Sequence, residues 1–261
     1  MLDKIVRRKK AEVECQKITN PLAVMRCQIE RGEFAFSNGL SHDWNLIAEC
    51  KLSSPVKGRL SQSYSVVELA EIYTANGAAA LSVHTDRHFC GKLGDIKAVK
   101  QVSSLPVLRK DFIIDEYQIY QALHAGADAI LLIAAILSSY QLEKYIDIAS
   151  GLGLDALVEV HNLEELKIVH KTSARLIGIN NRDLRTFKTN IENTFSLAQY
   201  FNPAKIYISE SGIKSEADAI RLKNSGVRGV LVGEGLVTED DVAAKTREIS
   251  LLNSNGGNSN A

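Results

Sequence analysis

Ala125-Gly-Ala-Asp-Ala-Ile-Leu-Leu132 decides the fold, because its plan occurs three more times along the chain. Asn76-Gly-Ala-Ala-Ala-Leu-Ser-Val83, Leu152-Gly-Leu-Asp-Ala-Leu-Val-Glu159 and Ser225-Gly-Val-Arg-Gly-Val-Leu-Val232 share it: helix end, glycine, small or apolar residue, spacer, small residue, apolar run. A glycine here stops a helix at its C′ position, and a short loop then enters a strand buried on both faces. Continuous apolar strands alternating with amphipathic helices imply parallel pairing through crossover helices.

Working outward from these four, eight strands can be placed. They are 46–50, 80–83, 106–110, 128–133, 155–160, 176–180, 205–210 and 229–233. Helix starts follow several of them: Asp115 before E-Y-Q-I-Y-Q-A-L, Ser138 before Y-Q-L-E-K-Y-I, and Ser215 before E-A-D-A-I-R-L. Eight strand–helix units across 46–250 predict an α/β chain folded as a closed (β/α)8 (TIM) barrel. An open doubly wound sheet is the runner-up, but no G-x-G-x-x-G follows the first strand. Residues 1–45, with Leu2, Ile5, Val6 and Val13 at helical spacing, are expected to form an N-terminal helical extension packed on the barrel. Trp44 is expected at the closed end. Residues 251–261, which include N-S-N-G-G-N-S-N-A, are expected to be a disordered tail.

Composition narrows the function classes. In 261 residues, Lys+Arg and Asp+Glu are both 31, which removes the usual electrostatic argument for nucleic acid or an anionic membrane. A small anionic ligand remains compatible with zero net charge. Cys15, Cys27, Cys50 and Cys90 form no C-x-x-C pair and have no histidines at zinc-finger spacing, so a cytoplasmic chain with no metal site is expected. The N-terminal M-L-D-K-I-V-R-R-K-K has no apolar run like a signal peptide. The longest apolar run, 129–137, is far short of the ~20 residues that span a bilayer.

Barrel enzymes keep their chemistry at the C-terminal ends of the strands. Glu49 and Lys51 share the alternation of Ile47; Lys110 follows Leu108, Glu159 follows Leu157, Asn180 follows Gly178, and Glu210 follows Ile208. Taken singly, each is what a strand end meeting solvent would show. Six of mixed sign at equivalent positions instead extend apolar stripes into a pocket mouth. Three carboxylates and two lysines converging there would perturb one another's proton affinities, which suits general acid–base chemistry.

The loops add a phosphate seat. Strand 7 runs into Ser209-Glu-Ser-Gly-Ile213 and strand 8 into Val232-Gly-Glu-Gly-Leu236, where barrel phosphate sites are commonly built. Gly212, Gly233 and Gly235 permit close backbone approach, and Ser53-Ser-Pro-Val-Lys-Gly58 adds hydroxyls and a lysine. Phe89, Phe112, Leu131, Ile133, Leu184 and Phe187, at or beyond strand ends, are a weaker indication of an aromatic or apolar substrate moiety.

I-A-E-C-K-L-S-S-P-V-K-G (47–58), P-V-L-R-K-D-F (106–112), A-L-V-E-V-H (156–161), I-G-I-N-N-R-D-L (177–184), I-S-E-S-G-I (208–213) and V-G-E-G-L (232–236) together resemble the indole-3-glycerol phosphate synthase family. The N-terminal L-D-K-I-V with Lys9 and Glu12 adds to the likeness, which spans roughly 2–247. The resemblance implies ring closure of 1-(2-carboxyphenylamino)-1-deoxyribulose 5-phosphate with loss of CO2 and water, in tryptophan biosynthesis, without a cofactor. It implies a small phosphorylated substrate as the partner and leaves monomer or homodimer open. Chemical logic then makes Lys110 the cation at the ketone oxygen and gives dehydration to Glu159 with Lys51 and Glu49, their division left open. The family pattern implies that Asn180, Arg182, Glu210 and Ser211 hold the hydroxyls and aryl carboxylate. It further implies that Ser54, Gly212, Gly233, Glu234 and Gly235 seat the phosphate, and that Pro55, Phe89, Phe112, Leu131 and Leu184 wall the aryl ring.

The sequence departs from that pattern at Val56 and Gly235, where Ser is usual, and at His88 and Lys92, which replace an aromatic residue and a serine. Lys92 reads as a solvated loop charge, one that would add a cation near the substrate carboxylate if it turned inward. Three alternatives use much of the same pattern: an isomerase acting on phosphoribosylanthranilate, which would not need the Glu49/Lys51 pair with Lys110; a Schiff-base aldolase using Lys110; and a non-catalytic phosphometabolite-binding barrel.

Overall fold

The structure, a computed structural model, describes residues 2–54, 58–60, 63–183, 186 and 188–252. Among them, eight parallel strands close into a barrel in sequence order: β1 (Asn45–Cys50), β2 (Ala80–His84), β3 (Val107–Lys110), β4 (Ala129–Ile133), β5 (Asp155–Val160), β6 (Leu176–Asn180), β7 (Ile206–Glu210) and β8 (Gly229–Val232). Closure is made by β1 against β8, with Asn45 beside Gly229 and Ala48 beside Val232. A closed ring leaves no edge, and the doubly wound alternative is thereby set aside. The four repeated glycines that end helices, Gly77, Gly126, Gly153 and Gly226, all lie at φ between 72 and 93°, the left-handed conformation a C′ glycine supplies. Ser138 and Ser215 each close a full capping box, and Asp115 accepts the Tyr117 N–H at 2.9 Å to start helix Tyr117–His124.

Side-chain alternation sorts each strand into two cores. Outward residues such as Leu46, Leu81, Val107, Ile130, Val158, Ile177 and Val230 pack under the helices. Inward residues Ile47, Leu108, Leu131, Leu157, Leu176, Ile208 and Leu231 fill the barrel, and Phe36 and Leu40 from the N-terminal segment join them. Trp44, just before β1, donates its indole N–H to the Ile249 carbonyl at 2.9 Å and so packs on the C-terminal helix Val242–Ile249. At the far C-terminus, Leu251 is buried in the outer core, and the remainder of the expected tail, from 253, lies outside the described residues.

Helix α1 (Leu2–Thr19) is held by a buried charge. Lys9 Nζ sits 2.8 Å from Asp86 and 2.9 Å from Asp111, all three side chains almost fully enclosed. Asp111 in turn takes Arg109 Nη2 at 2.9 Å and the Thr85 hydroxyl at 2.5 Å. Burial works against the Lys9 charge, but Asp111 and Asp86 outweigh it and hold the ammonium above its ordinary pKa. The helix is thereby fixed to the strand ends that carry the site: Asp86 lies two residues past β2 and Asp111 one past β3.

Candidate active site

The C-terminal ends of the strands surround a cavity of about 700 Å³, within the range of small-molecule sites. Glu49, Lys51, Lys110, Glu159, Asn180, Glu210 and Ser211 all line it, with Ser54, Phe89, Phe112, Leu131, Arg182, Gly212, Gly233, Glu234 and Gly235. Ile133 is there too. Pro55, Leu184, Phe187 and Val56 lie outside the described residues.

Lys110 is the hub. Its Nζ is 2.5 Å from Glu210 Oε2 and 3.2 Å from Glu159 Oε2, two carboxylates brought to it by β7 and β5. Burial disfavours its charge, yet Glu210, Glu159 and Glu49 outweigh that and raise its pKa, so it is firmly cationic. The two carboxylates respond in opposite directions and titrate as a pair. Burial also opposes the Glu159 charge, but Lys110, His161 and the Asn180 side chain pull its carboxyl well below the ordinary range. Glu210 is pushed up to about 7, by burial first and then by the charges of Glu159 and Glu49, against the pull of Lys110. Across the mouth, Glu49 Oε2 lies 3.4 Å from Lys51, whose ammonium sits 5.4 Å from the centre of the Phe89 ring. Lys51, His84 and Lys110 overcome burial and keep the Glu49 carboxyl well below its usual range.

Two glycines, Gly178 in β6 and Gly233 just past β8, make room for these carboxylates. A Cβ on Gly178 would fall on Glu210 Oε1, and one on Gly233 on Glu49 Oε2, each far inside contact distance. Gly233, read from sequence as a phosphate residue, therefore has a second and sufficient reason to lack a side chain. It also follows β8 instead of ending it. At Gly235 a Cβ would stand 2.7 Å from the Ile213 carbonyl oxygen, a physical reason for glycine where the family often has serine. Ser211 adopts φ 68°, and the following Gly212 φ 86°, so the backbone after β7 is held in a left-handed turn facing the cavity. On the far side of that turn, Arg182 reaches Glu234 at 3.9 Å. The Asn181 amide donates to Ser209 Oγ at 2.9 Å and to the Ser211 carbonyl at 3.0 Å, stitching β6 to β7 beneath the site.

Of the remaining departures, His88 turns away from the cavity, to Asp86 at 2.7 Å and Arg8 of α1 at 3.3 Å. Lys92 is exposed, and its backbone N–H is capped by Asp95, consistent with a solvated charge.

The sequence reading missed several contributors. His161 lies 3.2 Å from Glu159 and 3.1 Å from Glu165; burial opposes its charge, but the two carboxylates raise its pKa to about 10. Its position two residues beyond Glu159 on the same alternation was the available signal. Leu2 and Ile5 of α1 and Lys214 after β7 also line the cavity. So does His84, because β2 runs one residue beyond the expected end at Val83. Among the described residues no cluster of three or more His, Cys, Asp or Glu is arranged to hold a metal ion.

Fold and cavity define a (β/α)8 enzyme with a mixed-charge acid–base mouth. The sequence model of the family described as indole-3-glycerol phosphate synthase matches residues 2–249, and the chain belongs to that family. It is 47% identical over 262 residues to the indole-3-glycerol phosphate synthase of Desulforamulus reducens, covering 98% of this chain and 99% of that protein. It is 44% identical to that of Alkaliphilus metalliredigens, covering 95% and 97%. Among solved structures, 3-hexulose-6-phosphate synthase from Salmonella typhimurium aligns with a TM-score of 0.65 at 15% identity, over 80% of this chain and 97% of that one. At that identity the likeness concerns the fold alone.

Proposed function

We infer that the chain is an indole-3-glycerol phosphate synthase, a carboxy-lyase of tryptophan biosynthesis. It closes the ring of 1-(2-carboxyphenylamino)-1-deoxyribulose 5-phosphate to give indole-3-glycerol phosphate, CO2 and water. Family membership carries the reaction, and the Lys110–Glu159–Glu210 cluster with the Glu49–Lys51 pair is the observation that supports its chemistry here.

The aryl carbon bearing the carboxylate attacks the ketone, and negative charge develops on the ketone oxygen. Lys110, held cationic by its carboxylates, neutralises that charge from a fixed position and gives the oxygen a proton, leaving a hydroxyl. Loss of CO2 restores the aromatic ring and needs no base. Dehydration then removes a proton from the methylene beside nitrogen and protonates the departing hydroxyl. Glu159, kept ionised by Lys110, His161 and Asn180, suits the base. Lys51, beside Glu49, suits the acid. Asn180, Arg182, Glu210 and Ser211 hold hydroxyls and the aryl carboxylate, while Phe89, Phe112 and Leu131 wall the ring. Ser54 and the backbone at Gly212, Gly233, Glu234 and Gly235 take the phosphate; Lys214 at the cavity rim adds a cation to that anionic end. The biosynthetic role proposed here suits the cytoplasm; separately, among the described residues no helix is long and apolar enough to cross a membrane.

The test is direct: the protein is incubated with the carboxyphenylamino-deoxyribulose phosphate and indole fluorescence is followed. Product forms without added cofactor; no product overturns the assignment. Borohydride trapping of a lysine adduct would point instead to the aldolase.

A further inference from the structure

His84 is a buried imidazole at the cavity wall with no part in the mechanism above. Its Nε2 lies 3.0 Å from Glu49 Oε1, and its ring stacks on Phe89 with centroids 4.3 Å apart and planes 13° from parallel. Phe89 leads on to Phe112, 6.5 Å away. One side chain thus touches both a carboxylate of the acid–base mouth and the aromatic wall. Its neighbour across the sheet is Lys110, in register on β3.

The charged groups facing this pair are Lys51 just past β1, Lys110 on β3 and, toward Glu49, Glu210 on β7. Burial, then the lysines, act to keep the imidazole neutral, against the pull of Glu49. A neutral ring beside a carboxylate must present its N–H there, since two lone pairs at 3.0 Å would repel; this fixes the proton on Nε2. The buried Nε2 does not meet full hydrogen-bond geometry, and Glu49 Oε1 at 3.0 Å is the acceptor it faces.

We propose that His84 is a positioning residue for the reaction: its Nε2–H holds Glu49 Oε1, leaving Oε2 to Lys51, while its ring braces Phe89 against the substrate's aryl group. The arrangement lets seating of the aryl ring on Phe89 register the Glu49–Lys51 pair. This inference rests on the function proposed above, so its test has one arm independent of turnover.

The 15N spectrum of the imidazole rings, with His84 assigned by its loss in His84→Gln, reads the tautomer at neutral pH. Protonated Nε2 with bare Nδ1 is expected, and Glu49→Gln shifts that resonance. A doubly protonated ring, the opposite tautomer, or no response to Glu49→Gln overturns the proposal even if the protein turns over no substrate. In the kinetic arm, His84→Phe keeps the stack and removes the donor, so kcat falls about tenfold with KM within about threefold, the loss of one hydrogen bond to a charged group. His84→Gln restores most of kcat by returning a donor. Equal kcat in His84→Phe and wild type, or a loss that His84→Gln does not recover, overturns it. Should His84→Phe fail to fold, His84→Leu set against His84→Gln carries the reading, since both lack the ring and only Gln keeps a donor; equal kcat in the two overturns the proposal. A wild type without activity but with the expected tautomer and Glu49 coupling would fault the assigned reaction and leave the His84–Glu49 contact standing.

Discussion

The two ends of the barrel interior are built from the same strands and differ by a step of two residues. At the closed end Ile47, Leu108, Leu157 and Ile208 interdigitate with Phe36 and Leu40. Two positions on, Glu49, Lys110, Glu159 and Glu210 replace them at the mouth, the three carboxylates buried and Lys110 largely so. The apolar layer needs only volume to be filled. The charged layer is tolerable only because each group has a partner: Lys110 takes Glu159 and Glu210, while Glu49 takes Lys51. Stability therefore comes from one end, and reactivity from groups whose proton affinities the other end displaces.

Removing the hub of the charged layer should break the contrast most severely. Lys110→Ala is expected to lose about 10³-fold in kcat while the substrate still binds, measured by indole formation and by equilibrium titration. Preserved turnover would remove Lys110 from the mechanism. The counterpart at the closed end, Leu157→Ala, should behave oppositely. It should cost about 2–5 kcal/mol in urea unfolding through the cavity it leaves, with kcat of the folded enzyme nearly unchanged. A large fall in kcat would show that the layers are not separable.

The smallest effect concerns pH. In the fold Glu210 holds its proton up to about 7, whereas its ordinary value is 4.5. Between those values the folded protein binds more protons than the unfolded chain, so this group's contribution falls as pH rises through the window, by at most about 1.4 kcal/mol per unit. Glu210→Gln should flatten that slope in urea unfolding curves collected across the window. Glu159, displaced in the other direction, contributes stability present above its ordinary range and lost only as pH falls below it. An unchanged slope in Glu210→Gln would assign the proton elsewhere.

Much of this was legible in the sequence because alternation has a strict period of two. Once Ile47 or Leu157 faces inward, Glu49 or Glu159 must follow it. The glycine-ended helices were equally plain. What escaped was whatever depends on contacts across the ring. L-S-V-H-T-D gives no local reason to extend a strand to His84, and only the register with Lys110 carries it there. Gly178 reads as one more strand position and Gly233 as a phosphate glycine until the carboxylates of Glu210 and Glu49 are seen in the space where their side chains would be. The likeness of the N-terminal motif flagged Lys9, but nothing local names its partners, Asp86 and Asp111, which lie far along the chain.

That separation has a consequence in time. Lys9 is synthesised about a hundred residues before Asp111, its partner at 2.9 Å. At roughly 5–20 residues per second, α1 waits on the order of 5–20 s before the charge it must bury has an acceptor. During that interval Lys9 has only Glu12 within its own helix, at 3.4 Å. Helix α1 can thus dock only after β3 has been made, and its arrival closes the wall through Leu2 and Ile5. A ribosome-bound chain that ends before β3 should leave α1 undocked, its lysine still in water.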